Sequence, residues 1–135
     1  MSEKLKSEPE SILVVDDDIG VRTIFSSFLK KEGYRVTAVK DGSEAIKAID
    51  EGSFALALVD LRMPWLDGIE VLESIKNRKP QIPVIIYTGS GSVATAVEAM
   101  RKGAADYLIK PFSRNELKAS AKKALKMTQT DESRI

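Results

Sequence analysis

Reactive polar side chains stand directly after four short apolar runs in this 135-residue chain. Asp16, Asp17 and Asp18 follow Ile12–Val15, and Asp60 follows Ala55–Val59. Thr88 follows Pro83–Tyr87, and Lys110 follows Tyr107–Ile109. Histidine and cysteine are both absent. Imidazole is thereby removed as base, nucleophile, metal ligand or phosphocarrier, and thiolate sites and disulfides are excluded. The lack of cysteine fits a reducing compartment. Any chemistry must use carboxylates, hydroxyls, amines and whatever metal the oxygens hold. Singly, each group has an ordinary reading: a helix cap, a solvated loop acid, strand material, a surface lysine. Their joint placement directs attention to the elements that carry them.

The composition is that of one soluble globular domain, with 43% apolar and 30% charged residues. A net charge of +1 gives no bulk attraction to nucleic acid or to an acidic membrane surface. No apolar run approaches the roughly 20 residues of a membrane span. Met1–Glu10 is polar and reads as a flexible leader without a signal-peptide core. The pattern then alternates. ILVV (Ile12–Val15) predicts a strand buried on both faces. Asp18 is placed to cap a helix with Val21, Ile24, Phe25, Phe28 and Leu29 inward, stopped by Gly33. Tyr34–Val39 is strand-like, and Ser43 is placed to cap a helix with Ala45, Ile46 and Ile49 inward, closed by Gly52. Ala55–Val59 is the third strand. A loop with Pro64 and Asp67-Gly68 leads to a helix over Ile69–Asn77. Pro83–Tyr87, Ser92–Lys102 and Tyr107–Ile109 give strand, helix and strand. Ser113, with Glu116 in the capping-box position, opens a last helix to about Met127. Thr128–Ile135 reads as a polar tail or linker stub.

Five such units imply an α/β fold: a flavodoxin-like (βα)5 three-layer sandwich around a parallel sheet of order 2-1-3-4-5. Ligands of such sheets sit beyond the carboxyl ends of the strands, between strands 1 and 3. That rule brings Asp16, Asp17, Asp18, Asp60, Thr88 and Lys110 to one edge. Two carboxylates 4 Å apart repel by about 4 kcal/mol at an effective dielectric near 20. One lysine cannot offset three or four acids. A hard divalent cation can, and carboxylate oxygens suit Mg²⁺, held by Asp16 and Asp17 with Asp60.

The stretches ILVVDDD (Ile12–Asp18), LVDLRMPWLDG (Leu58–Gly68), VIIYTG (Val84–Gly89) and AVEAMRKGAADYLIKPF (Ala96–Phe112) resemble the receiver family of two-component signalling. The likeness spans about Ser11–Met127. The last stretch is similar to receivers of nitrogen-regulation and nitrogen-fixation class transcriptional activators. The resemblance implies that Asp60 is the phosphoacceptor, and that Asp16, partly through water, Asp17 and the Arg62 backbone carbonyl join it in holding Mg²⁺. It implies that Lys110 pairs with the phosphoryl oxygens and that the Thr88 hydroxyl moves to bond them. Tyr107 matches the family's switch aromatic, and the Lys110–Pro111 bond is expected to be cis. Arg62 and Ser90 occupy positions that tune phosphoryl lifetime in the family. The donor would be a phosphohistidine on a sensor histidine kinase or phosphotransfer protein. The readout surface would be the fourth helix, fifth strand and fifth helix. A homodimer, a cytoplasmic location, and no direct contact with nucleic acid or membrane complete these expectations, the output being transcription control by another domain or partner.

Other positions carry smaller expectations. Asp18 is assigned to capping, and Asp67 and Asp106 to loops without a catalytic contact. Trp65 lies near enough to the site for its fluorescence to report Mg²⁺. The main alternative is a haloacid-dehalogenase-like Mg²⁺-dependent phosphatase, with Asp16 as nucleophile of a D-x-D pair. Gly20 breaks that family's continuation, no late acidic pair follows Lys110, and Asp60 is left without a role. Gly89-Ser90-Gly91-Ser92-Val93-Ala94 literally fits G-x-G-x-x-A, but it follows the fourth strand rather than the first. Room for movement beside Thr88 is the better account of those glycines.

Overall fold

The computed structural model describes residues 9–62 and 67–133, with side chains as far as residue 126. Five strands alternate with five helices: β1 (Ser11–Val15), α1 (Ile19–Lys31), β2 (Arg35–Val39), α2 (Gly42–Glu51), β3 (Leu56–Asp60), α3 (Gly68–Arg78), β4 (Val84–Thr88), α4 (Val93–Arg101), β5 (Asp106–Ile109) and α5 (Arg114–Ser133). The sheet is parallel with order β2-β1-β3-β4-β5, as the alternation predicts. The apolar runs make the interior strands: Ile12–Val15 and all of β3 and β4 are buried. The more polar β2 and β5 form the edges.

The two-residue period of the strands sorts their side chains into two cores. Leu13, Val15, Ala57, Val59, Val84 and Ile86 meet α2, α3 and α4 through residues such as Ile49, Leu72, Ile75 and Ala99. Ile12, Val14, Leu56, Leu58, Ile85 and Tyr87 meet α1 and α5 through residues such as Leu29, Leu117 and Ala121.

Local chemistry ends each helix. Asp18 caps α1, its carboxylate accepting from the Gly20 and Val21 N–H groups. Gly33 and Gly103 follow helices at φ 99° and 104°, a left-handed conformation that glycine adopts without a Cβ penalty. The Ser113–Glu116 box opens α5 as expected, each side chain accepting from the other residue's backbone N–H.

Three expectations need correction, and the one for Asp67 gains a detail. α2 is capped by Asp41, not Ser43. The Asp41 carboxylate accepts from Glu44 N–H, while Glu44 accepts from Lys40 N–H. Asp67, read as a loop acid without a catalytic contact, in addition caps α3 by accepting from Glu70 N–H. Ile24 is 62% exposed, because it stands to the side of the stripe formed by Val21, Phe25, Phe28 and Leu29. α5 runs to Ser133 rather than stopping near Met127. Pro64 and Trp65 lie outside the described residues, as does most of the leader.

Gly68 opens α3 against the end of β3. Its N–H donates to the Leu61 carbonyl at 2.7 Å. A Cβ there would overlap the Asp60 carbonyl oxygen and lie 2.7 Å from Leu61 Cα. Gly89 has only the Lys110 Cδ, 4.0 Å away. Gly68→Ala is therefore expected to lower stability by about 1–3 kcal/mol despite alanine's better helix propensity, whereas Gly89→Ala stays within about 0.5 kcal/mol. Urea unfolding midpoints of the two variants check this, and equal midpoints would count against the packing account.

Candidate functional site

Strand register gathers the polar residues at the carboxyl edge. Val15 pairs with Val59 and Asp60 with Tyr87, so Asp16, Asp60 and Tyr87 lie side by side. Backbone bonds continue the ladder just past the strands, from Leu61 N–H to the Tyr87 carbonyl and from Lys110 N–H to the Thr88 carbonyl, both at 2.8 Å. The same two-residue period separates two groups. Asp16 continues the Ile12, Val14 series and Asp60 the Leu56, Leu58 series, on the face shared with Tyr87. Thr88 continues the Val84, Ile86 series on the opposite face, where Tyr107 packs.

Asp16, Asp17 and Asp60 each offer a carboxylate oxygen, all within 4.8 Å of one another. Asp16 is 1% and Asp60 8% exposed, while Asp17 is open to solvent. Asp18 is spent on the α1 cap, as the sequence suggested. The three acids form a cluster of hard oxygens fitted to a divalent cation such as Mg²⁺. Beside them lies an open cleft of about 500 Å³ lined by Asp17, Arg62, Asp67, Thr95 and Glu98 among others.

Burial, and after it the negative charge of Asp16, pushes the Asp60 carboxyl up to about 6. The Arg62 N–H, which donates to Asp60 Oδ1 at 3.3 Å, and the Lys110 ammonium oppose this rise, and Asp17 adds to it. The Lys110–Pro111 bond is cis, as expected.

Asp16 is tied at every polar atom. Its N–H donates to the Val39 carbonyl, and its own carbonyl accepts from Arg22 Nη1 at 2.7 Å. Oδ1 accepts from Asp18 N–H at 2.8 Å, and Oδ2 from the Tyr87 hydroxyl at 2.7 Å. The Tyr87 contact was missed in the sequence. One signal was available: a tyrosine at the end of a fully buried strand needs a partner for its hydroxyl. Asp16 is thus held in a supporting position beside Asp60, and the phosphatase alternative, with Asp16 as nucleophile, finds no support.

On the other face, Thr88 is fully buried and its Oγ1 accepts from Ser90 N–H at 3.2 Å. The Tyr107 hydroxyl shares a 2.7 Å hydrogen bond with Thr95 Oγ1. Thr95 is itself half of the capping box that starts α4. Gly91 sits against both switch candidates: a Cβ there would overlap the Tyr107 hydroxyl and approach Thr88 Cγ2 to 2.9 Å. The Gly89–Ala94 match is thus filled by the protein's own side chains at its second glycine. Arg62 Nη2 reaches the Ser90 carbonyl at 3.4 Å, joining the loops after β3 and β4. Asp106 bonds the Ser120 hydroxyl at 2.6 Å, away from the cluster. Among the described residues no helix is long and apolar enough to cross a membrane.

The response regulator receiver domain model matches residues 12–122. The chain is 45% identical over 131 residues to the transcriptional regulatory protein ZraR of Klebsiella oxytoca, covering 97% of this chain and 30% of that protein. It resembles a CheY-like receiver domain protein from Methanospirillum hungatei JF-1 with a TM-score of 0.88 and 30% identity, covering 91% of this chain and 98% of that one. NtrX from Brucella abortus gives 0.87 and 33%, covering 93% and 28%. The chain thus spans under a third of the length of both larger regulators.

The raised Asp60 pKa has a consequence for the metal-free protein. Folding lifts this carboxyl from 3.8 to about 6. Between those values the folded state binds more protons than the unfolded state, so stability falls as pH rises through that window. Asp60→Asn removes the titrating group. Its stability advantage over wild type is expected to grow from pH 4 to pH 7, by on the order of 2 kcal/mol in urea unfolding with chelator present. A difference that does not change with pH would contradict the burial of a charge at Asp60.

Proposed function

The chain belongs to the response regulator receiver family, and we propose that Asp60 is its phosphoacceptor, loaded from a phosphohistidine on a sensor histidine kinase or phosphotransfer protein. The observation that carries this reading is the placement of Asp60. It is a nearly buried carboxylate at the end of a central strand, sharing one corner with Asp16 and Asp17.

In the proposed reaction an Asp60 oxygen attacks phosphorus in line with the breaking P–N bond, and the imidazole leaves. Mg²⁺ held by Asp16, Asp17, Asp60 and the Arg62 backbone carbonyl would neutralise charge on the phosphoryl oxygens when bound. The Lys110 ammonium pairs with one of those oxygens from the β5 side. Partial desolvation of the ionised Asp60 carboxylate removes hydration that an attacking oxygen would otherwise have to shed. The chain has no histidine, so it cannot supply that donor itself. The protein acts as a phosphoacceptor that assists its own loading and hydrolysis, rather than as an enzyme on an outside substrate.

The output in this reading is a shift between two conformations. The Thr88 hydroxyl leaves Ser90 N–H for a phosphoryl oxygen, and Tyr107 moves with it. The changed surface is that of α4, β5 and α5. We place this switch in the cytoplasm, controlling a transcriptional output elsewhere, with a second copy of the chain as a further partner.

Incubation with a small phosphodonor and MgCl₂ is expected to add one phosphoryl group to wild type and none to Asp60→Asn, read by intact mass. Chelation should abolish the labelling. Equal labelling of both proteins would overturn the assignment.

A further inference from the structure

Tyr87 is completely buried, and its ring packs with Phe25 at a centroid distance of 5.2 Å and with Phe112 at 6.2 Å. A phenylalanine would satisfy that packing. The hydroxyl does something else: it crosses the gap between β4 and β1, over the end of β3, to donate to Asp16 Oδ2. The ring's face carries the other charge of the site, with the Lys110 ammonium 5.1 Å from its centroid. One side chain therefore touches both the acid cluster and the lysine.

Asp16 is buried and has little freedom of its own. With Oδ1 on Asp18 N–H and Oδ2 on Tyr87, only the outward lone pairs of the carboxylate remain for a cation. Removing the hydroxyl would leave Oδ2 without a partner in a buried place. The carboxylate would then be free to rotate away from the geometry that Asp17 and Asp60 share.

We propose that Tyr87 is a positioning residue for the acid cluster, fixing the Asp16 carboxylate so that the three acids converge on one divalent cation. This rests on the receiver reading of the cluster given above. Groups that orient ligands from behind cost about 10–100-fold in metal affinity when removed. The hydroxyl acts through Asp16, so its effect must vanish when Asp16 can no longer respond.

The test is calorimetric titration of MgCl₂ into the metal-free protein, with phosphorylation by a small phosphodonor measured across Mg²⁺ concentrations. Tyr87→Phe keeps the ring over Lys110 and is expected to bind Mg²⁺ roughly ten-fold or more weakly. Its rate at saturating Mg²⁺ should change far less. Tyr87→Met, which fills the space with a pliable apolar chain, should show the same loss of affinity and covers the case in which the phenylalanine variant does not fold. In an Asp16→Asn background, Tyr87→Phe should have little further effect. Unchanged Mg²⁺ affinity in a folded variant, or an undiminished effect in the Asp16→Asn background, overturns the proposal while leaving the receiver reading intact. A wild-type protein that neither binds Mg²⁺ nor labels at Asp60 overturns both.

Discussion

Mutual repulsion among Asp16, Asp17 and Asp60 is the constraint around which this fold is organised. Three carboxylates brought within 4.8 Å of one another, two of them nearly buried, would not persist at the end of a less rigid sheet. The register of β1 on β3 imposes their approach, and the apolar interior of both strands holds that register. Slipping either strand by one residue would turn its apolar set to the other face. The core thus holds in place an arrangement that its own charges oppose. Burial first, and the charge of Asp16 after it, raise the Asp60 carboxyl to about 6.

Strand periodicity also divides the labour between the two faces of the sheet. Asp16, Asp60 and Tyr87 follow the series that faces α1 and α5. Thr88 and Tyr107 follow the series that faces α2, α3 and α4. The strand ends offer one route by which a charge change on the first face can reach the second. There Asp60, Tyr87 and Thr88 are linked by adjacent backbone bonds. Gly91 keeps this junction tight, since its missing side chain leaves the space that the Tyr107 hydroxyl and the Thr88 methyl occupy.

Most of this was legible in the sequence, for definite reasons. Central strands announce themselves as continuous apolar runs, and strand order then places whatever follows each run at one edge. Asp16, Asp17, Asp60, Thr88 and Lys110 were found by that route before any side chain was placed. What escaped depends on competition between equivalent local solutions. Asp41 and Ser43 are both good cap residues, and the start of α2 at Gly42 decides between them. Ile24 lies within reach of an apolar stripe by spacing, yet the stripe has an edge and Ile24 falls beyond it. The Tyr87–Asp16 bond joins residues 71 positions apart, so only the assembled sheet reveals it.

The link between Tyr107 and Thr95 bears on how the proposed switch would reach α4. Thr95 Oγ1 accepts from Ser92 N–H at 3.0 Å and donates to the Ser92 carbonyl, also at 3.0 Å, while sharing a bond with the Tyr107 hydroxyl. The same hydroxyl therefore serves the helix cap and Tyr107, the proposed switch aromatic. Withdrawing Tyr107 would remove one hydrogen bond, a net effect of about 1 kcal/mol, and would loosen a cap worth about 1 kcal/mol more. Two-state equilibria in proteins are separated by only a few kcal/mol, so losses of this size are enough to redistribute their populations. α4 is also lightly anchored: Ala99 is its one buried residue, and Val93 in its first turn is 81% exposed. A change at Thr95 therefore acts on a helix that little apolar burial holds to the core, so a modest contact change at the site would be enough to shift it.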